Sequence, residues 1–184
     1  PVTFEEQMRN MNSIVKLTER DFARFSETVA KMPSDLRAAQ GATESASALY
    51  DIVSSGFTNT AKAADVLRSS LIAATAGMTT AKMAAAGIAA VLNAYGKDTI
   101  TAAHAGDVMF KAVEVGVFTF EEFVQEMGAT LPIAKSAGIS FEELSGVIAA
   151  LTVRGLQAPH AFVGVKTALL GLLTPSAELK NEMA

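Results

Sequence analysis

The chain has 184 residues, of which 50% are hydrophobic, 18% charged and 7% aromatic, and its net charge is −4 at pH 7. This composition can bury a sizeable core, whereas the absence of a basic tract gives nucleic-acid binding little support. The sequence contains no cysteine, which excludes disulfides, thiol nucleophiles and cysteine-based metal sites.

The sequence shows no membrane-spanning or targeting segment. Its longest apolar run, residues 83–92, is about half as long as a bilayer span requires. The first ten residues mix polar, acidic and basic side chains rather than forming a signal peptide. The sequence begins without Met and stops within a helical pattern, so we expect it to be a segment of a longer protein.

A heptad-like pattern marks the first segment. Spacings of four and three alternate along a series of positions of which only Thr18 is polar. The series is Phe4, Met8, Met11, Val15, Thr18, Phe22, Phe25, Val29 and Met32. Pro33 then predicts a break or a fresh helix start, so we expect a helical segment at 1–33 and a helical core domain at 34–184. Two interpretations of the first segment stay open: amphipathic helices that fold back on the core domain, or a coiled coil that continues an upstream rod.

Glycines recur about every 20 residues from position 56 onward, and several precede an apolar residue and then Ser or Thr. Glycine adopts the left-handed conformation past a helix end without a Cβ penalty, and the following hydroxyl caps the next helix. The expected caps include Thr58, Thr79, Thr119 and Ser140, and a glutamate three residues after each of the last two predicts a capping box. The predicted structural turns are Gly56, Gly77, Gly96, Gly116, Gly138 and Gly155.

Apolar residues follow these signals with a helical period, so the sequence predicts an all-α fold of short helices without strands. After a short helix or turn at 34–40, the expected helices are 43–55, 59–76, 79–95, 99–115, 119–136, 140–153, 158–173 and 176–183. Pro132 predicts a kink or a split within 119–136. Because the helices do not match residue for residue, the sequence favours an irregular helical domain over a regular solenoid.

Few residues could support catalysis or metal binding. His104 and His160 lack a second ligand at helical spacing. The acidic pairs at 5/6, 121/122 and 142/143 lie in helix first turns, where negative charge complements the helix dipole. No phosphate-binding glycine loop is present. We therefore predict no catalytic, cofactor-binding or metal site.

Some glycines lie inside predicted helices, where they cost stability relative to alanine. They are Gly87, Gly146, Gly164 and Gly171. Such glycines are typical of close helix–helix contacts, and Gly164 and Gly171 with Ala168 could form one contact face. A membrane-inserted helix would use the same kind of face.

The order of these motifs resembles one family, the conserved core domain of the phage tail tape measure protein, also called a minor tail protein. The resemblance covers nearly the whole chain and rests on several stretches. They are FEEQMRNMNSI (4–14), ALYDIVSSGF (48–57), VLNAYG (91–96), LPIAKSAGIS (131–140) and RGLQAPHAFVGVKTALL (154–170). The linker at 155–160 departs from the family pattern, in which small polar residues lead to a glycine.

The resemblance implies a structural, non-enzymatic protein of the virion. Its parent would be long and helical, lie inside the tail tube, set the tail length, and leave the tube on infection to aid DNA passage. The implied partners are the tail tube protein, tail assembly chaperones, tail tip or baseplate proteins, and other copies of the chain. The host membrane on infection is a further contact, and no specific nucleic acid or cofactor is implied. The implied locations are the tail interior and, during assembly, the host cytoplasm.

Two other functions fit the residues. A helical-repeat module could bind a peptide in a groove, and a pore-like domain could insert the Ala/Gly-rich helices of residues 60–95 into a membrane.

Overall fold

The computed structural model describes residues 2–76 and 79–174, and within these ranges the chain forms ten α-helices and no strand. The all-α prediction is confirmed. In chain order the helices are α1 (Phe4–Val15), α2 (Glu19–Asp35), α3 (Ala42–Ser54), α4 (Thr60–Thr75), α5 (Ala81–Tyr95), α6 (Ala102–Val115), α7 (Phe120–Met127), α8 (Leu131–Ser136), α9 (Phe141–Val153) and α10 (Ala158–Leu173). The helix expected at 176–183 and the turn expected at Gly77 lie outside the described residues.

The N-terminal segment is two helices rather than one continuous heptad helix. Helix α1 ends where Lys16 takes a φ of 60°, and Thr18 then caps α2 by accepting a hydrogen bond from the Asp21 N–H at 3.3 Å. The polar interruption in the heptad series is therefore a helix start. Both helices pack on α3, and their apolar seam, including the buried Met8 and Met11, belongs to the same hydrophobic cluster as the later helices.

The break predicted at Pro33 is wrong. Pro33 is buried inside α2, which continues to Asp35, and the turn follows at Arg37 with a φ of 52°. A proline removes one N–H and crowds the preceding turn, and the chain tolerates this two residues before the helix ends. The division into residues 1–33 and 34–184 stays a prediction.

Pro132 splits the predicted helix 119–136 into α7 and α8, and it occupies the first turn of α8. The capping boxes predicted at Thr119 and Ser140 are confirmed. The caps expected at Thr58 and Thr79 are each wrong by one residue. Asn59 caps α4 and Thr80 caps α5.

Helix α5 lies at the centre of the bundle. It packs against α3, α4, α6, α7 and α8, whereas a unit of a solenoid contacts only its neighbours. The described helices therefore form an irregular bundle. Alanine and glycine occupy five of the nine buried positions of α5, which lets the surrounding helices approach. The buried residues are Ala81, Ala84, Ala85, Gly87, Ile88, Ala89, Val91, Leu92 and Tyr95.

Gly87 is the point of closest approach to α5. A Cβ built on this residue would lie 2.6 Å from Cε of Met109 on α6 and 2.8 Å from Cγ2 of Val124 on α7. Real Cβ atoms essentially never lie this close to another heavy atom. The contact between helices that a glycine inside a helix predicts is therefore present at Gly87.

We predict that Gly87→Ala destabilises the fold although alanine favours helix. The gain in helix propensity is about 0.5–1 kcal/mol. Met109 Cε is the far end of a flexible side chain and can move aside, so the cost comes mainly from the β-branched Val124. We expect that cost to exceed the gain at about 1–3 kcal/mol. Chemical denaturation measures the net loss. The matched control is Gly106→Ala on α6, where the new Cβ would lie 3.6 Å from Ile88 Cδ1 and should stabilise the chain. Equal effects at both positions would contradict this packing.

Three of the predicted glycine turns share one hydrogen-bonding pattern. Gly56, Gly138 and Gly155 take φ angles of 93°, 76° and 98°. The N–H of the next residue then donates to a carbonyl five residues back, as from Ile139 to Ala134 at 2.9 Å. This Schellman motif satisfies the orphan carbonyls at a helix end. Gly96 also takes a positive φ, of 110°.

Gly116 ends α6 without the left-handed conformation, since its φ is −81° and its ψ 178°. A Cβ there would lie 2.2 Å from Cε1 of Phe118 and 2.8 Å from the Ala112 carbonyl oxygen. Two apolar residues, Val117 and Phe118, separate Gly116 from Thr119, where the other motifs have one. The second of them, Phe118, packs its ring on the glycine. Glycine is therefore required here by close packing rather than by a positive φ.

We predict that Gly138→Val lowers the free energy of unfolding by about 1–2 kcal/mol. A β-branched side chain opposes the left-handed backbone. Among the described residues no atom lies within 4 Å of the added Cβ, so the loss comes from backbone strain. Gly128→Val is the control, because Gly128 has an equally open surrounding and a φ of −54°. A thermal melt in which both variants match the parent would show that this turn is not strained.

Candidate interaction surface

The predicted turn glycines lie at separate helix ends, and the described structure does not bring them together into a site. Residues 2–76 and 79–174 also contain no cluster of three or more His, Asp or Glu side chains that could hold a metal ion.

The acidic pairs of the helix first turns serve as caps and as links between helices. Glu6, Glu122 and Glu143 complete capping boxes with Thr3, Thr119 and Ser140. The hydrogen bond from the Ser140 N–H lowers the pKa of Glu143 below its ordinary value. Glu121 accepts a hydrogen bond of 2.6 Å from the Thr79 hydroxyl, which joins the segment before α5 to α7.

His104 pairs with Glu142 and so joins α6 to α9. The hydrogen bond from the imidazole lowers the pKa of the Glu142 carboxyl. Both side chains are about half exposed, so such a pair contributes less than about 1 kcal/mol. The sequence gives no sign of this partner, because 38 residues separate the two side chains. His160 lies in the first turn of α10.

Tyr95 fixes the turn between α8 and α9. Its hydroxyl donates a hydrogen bond to the Ile139 carbonyl at 3.0 Å, and its ring centroid lies 6.1 Å from that of Phe141. Lys135 Nζ lies 5.7 Å from the same ring centroid. Burial, with smaller contributions from Glu142 and Glu143, raises the pKa of Tyr95 to about 12. The end of α5 thus holds the Gly138 turn in place.

We predict that Tyr95→Phe lowers the free energy of unfolding by about 1 kcal/mol, because the Ile139 carbonyl loses its partner. Chemical denaturation measures the loss.

The pKa of Tyr95 predicts how stability depends on pH. An unfolded tyrosine titrates at about 10, below the folded pKa of about 12. The folded chain should therefore lose stability as the pH rises from about 10 towards 12. An ultraviolet titration of the phenolate measures this step. The phenolate that forms near pH 12 should be absent from Tyr95→Phe and present in Tyr50→Phe. The reverse pattern would show that the raised pKa does not belong to Tyr95.

Two apolar grooves flank the exposed side of α6. The first has a volume of about 290 Å³, lies between α4 and α6, and includes Ile72, Ala73 and Phe110 in its lining. The second, of about 340 Å³, lies between α6 and α9 and includes Val115 and Gly146 in its lining. Ser145 at the second groove is buried, and its hydroxyl has no hydrogen-bond partner among the described residues.

Exposed large apolar side chains are concentrated from Val115 onward. They include Val115, Val117, Val147, Val153, Leu156, Val163, Leu170, Leu172 and Leu173. Earlier in the chain such residues are scattered, as at Val2, Ile14, Ile72 and Phe110. Exposed apolar surface is a feature of contacts with other molecules. Most of these residues lie on α9 and α10, with Val115 at the end of α6, so these helices carry the candidate interaction surface.

None of the helices that the structure describes combines the length and the apolar character required to cross a bilayer. Helices α4 and α5, which include most of the Ala/Gly-rich stretch considered for membrane insertion, bury much of their surface within the bundle.

Comparison with known proteins gives one family. The protein-family model described as phage-related minor tail protein matches residues 5–184. Neither the curated proteins nor the solved structures include a significant match to this chain.

Proposed function

The chain belongs to the phage-related minor tail protein family, and from this membership we propose that it is a segment of the tape measure protein inside a phage tail. Membership supports a structural role in the virion tail. The finer assignment is our proposal, and the observation that carries it is the family match across almost the whole chain, at positions 5–184. The ordered helix-end motifs at residues 48–57, 91–96 and 131–140 add support.

We propose a non-enzymatic role, in which the chain acts through its surfaces. The apolar surface of α6, α9 and α10 would contact other tail components, namely the tube protein, assembly chaperones or tip and baseplate proteins. The parent would assemble in the host cytoplasm, remain in the tail interior, and leave on infection to aid DNA passage across the host membrane. Specific recognition of nucleic acid has no part in this proposal.

The folded state limits how this segment would contribute to tail length. As one continuous helix, 184 residues would span about 280 Å at the ordinary rise of about 1.5 Å per residue. A folded chain of this size has a diameter of about 40 Å, from a radius of gyration of about 16 Å. We therefore propose that the folded segment attaches the tape measure protein to other tail proteins. The parent's flanking regions would then set most of the tail length.

A peptide-binding module is the second candidate. The grooves beside α6 are apolar and large enough to accept side chains of a bound helix or peptide. In that case the chain would act by holding a partner and would not need to be a virion component.

Mass spectrometry of purified virions tests the tail assignment. We predict that peptides from residues 5–173 are present in intact tails and depleted from tails that have ejected their DNA. Deleting residues 5–173 in frame should shorten the assembled tails by no more than about 40 Å if the segment is folded in the tail. If these residues formed one extended helix, the tails should shorten by about 250 Å. A chain present in the lysate but absent from purified tails would contradict the proposal and favour the peptide-binding module.

A further inference from the structure

We propose that α1 and α2 form a two-state hinge, in which the chain can straighten at residues 16–18 into one continuous helix over residues 4–35. In the bent form α1 ends at Val15, α2 begins at Glu19, and both helices pack on α3. In the straight form α1 would leave α3 and uncover the surface of α3 beneath it. The inference concerns a motion of this chain and does not depend on the chain's place in a tail.

The first observation is that the heptad-like series keeps its spacing across the break. Steps of four, three and four residues lead from Met11 to Val15, from Val15 to Thr18 and from Thr18 to Phe22. A continuous helix over residues 4–35 would therefore place both halves of the series on one face. One residue more or fewer in the turn would have lost this register.

The second observation is that the break contains no helix-breaking residue. The linking segment is Lys16, Leu17 and Thr18, and lysine and leucine are among the better helix formers. Glycine and proline, which interrupt helices through the backbone, do not occur between residues 3 and 32. The sequence thus permits helix throughout this stretch, and the break depends on interactions of the folded chain.

The third observation is backbone strain at the break. Lys16 takes a φ of 60°, and Arg37, just beyond the end of α2, takes a φ of 52°. At the other left-handed positions among the described residues the chain has glycine. A side chain makes this conformation unfavourable, so the bent form holds strain at Lys16 that a continuous helix would release.

Two side chains hold the bent form at the break. The Leu17 N–H donates a hydrogen bond of 2.8 Å to Asn12 Oδ1, and the Asp21 N–H donates one of 3.3 Å to Thr18 Oγ1. In a continuous helix each of these N–H groups would donate to the carbonyl four residues back. The two forms therefore satisfy the same donors with different acceptors, and substitutions at Asn12 or Thr18 shift the balance between them.

Burial of α1 opposes straightening. Met8 and Met11 are only 1% and 0% exposed, and the straight form would return them to water. A cavity of about 380 Å³ separates α1 from α2, with Phe4 and Phe22 in its lining, so α1 is buried mainly against α3. The bent form is therefore the major one, and the straight form is a minor state of the kind that a few residues can repopulate.

Reaction of a buried thiol measures the opening, because the chain has no cysteine of its own. In the 184-residue chain, Met11→Cys reports on α1, and Ala105→Cys, at a position 0% exposed on α6, reports on global unfolding. An aromatic disulfide reagent should react roughly tenfold faster at position 11, because α1 opens while the rest of the bundle stays folded. Equal rates at the two positions would overturn the inference.

Thr18→Leu separates straightening from simple detachment of α1. Leucine does not cap α2, but it extends the apolar series and favours a continuous helix. The thiol at position 11 should therefore react roughly fivefold to tenfold faster. An unchanged rate would mean that α1 merely detaches while α2 keeps its start, and would refute the hinge. The matched control is Thr101→Leu, which removes the same kind of cap from α6 and should leave the rate at position 11 unchanged.

Lys16→Gly tests the strain in the opposite direction. Glycine relaxes the left-handed residue of the bent form and disfavours the helix of the straight form, so the rate at position 11 should fall roughly tenfold. Arg37→Gly is the control, because it relaxes a similar φ at the far end of α2 and should not change that rate. A rate that Lys16→Gly leaves unchanged or raises would show that the break is an ordinary flexible linker.

Spin labels at two substituted positions, Glu5→Cys and Ala23→Cys, observe the straight form directly. Both residues line the cavity between α1 and α2, so their Cα atoms should lie roughly 15 Å apart in the bent form. In a continuous helix the same atoms lie about 27 Å apart on one face. With Thr18→Leu added, we expect a second, narrow distance population near that value and unchanged helix content by circular dichroism. A broad distribution with lost helix content would show that α1 unfolds instead, and would contradict the hinge.

Discussion

Helix α5 can occupy the centre of the bundle because alanine and glycine fill most of its buried positions. A helix with larger side chains would hold its neighbours farther away, since interhelical distance depends on the residues at the contact. At Gly87, side chains from α6 and α7 contact the backbone of α5 almost directly. The positions of α3, α4, α6, α7 and α8 therefore all depend on the small volume of one helix.

The helix ends around this centre are defined by hydrogen bonds close in sequence. Capping boxes begin α1, α7 and α9, and left-handed glycines end α3, α8 and α9. Tyr95 connects this local pattern to the packing, because it lies at the end of α5 and holds the Ile139 carbonyl after the Gly138 turn. The helices thus start and stop at defined residues, and α5 determines how closely they pack.

Local signals made much of the fold predictable. Ser140, followed by Glu143, identified the start of α9 because a capping box involves only neighbouring residues. Two caps lie one residue later than the local signals indicate, since Thr58 and Asn59 are both capping residues and α4 uses Asn59. The sequence also did not show that α2 continues past Pro33, which is buried, or that Phe118 packs on Gly116. For the candidate surface, the sequence showed the glycines of α9 and α10 but could not show which of them lack a neighbour. The His104–Glu142 pair joins distant residues and left no sequence signal.

Gly87 is the position at which side chains of two neighbouring helices come closest to the backbone of α5. The central claim is that α5 is the helix on which the bundle depends. Amide hydrogen exchange of the intact chain tests it most directly, because it reports the stability of each helix separately. The account predicts that amides at 84–92 exchange slowest and only through global unfolding, while those of α1 and α10 exchange through smaller openings. Amides of α5 that exchange as fast as those of α1 or α10 would contradict it.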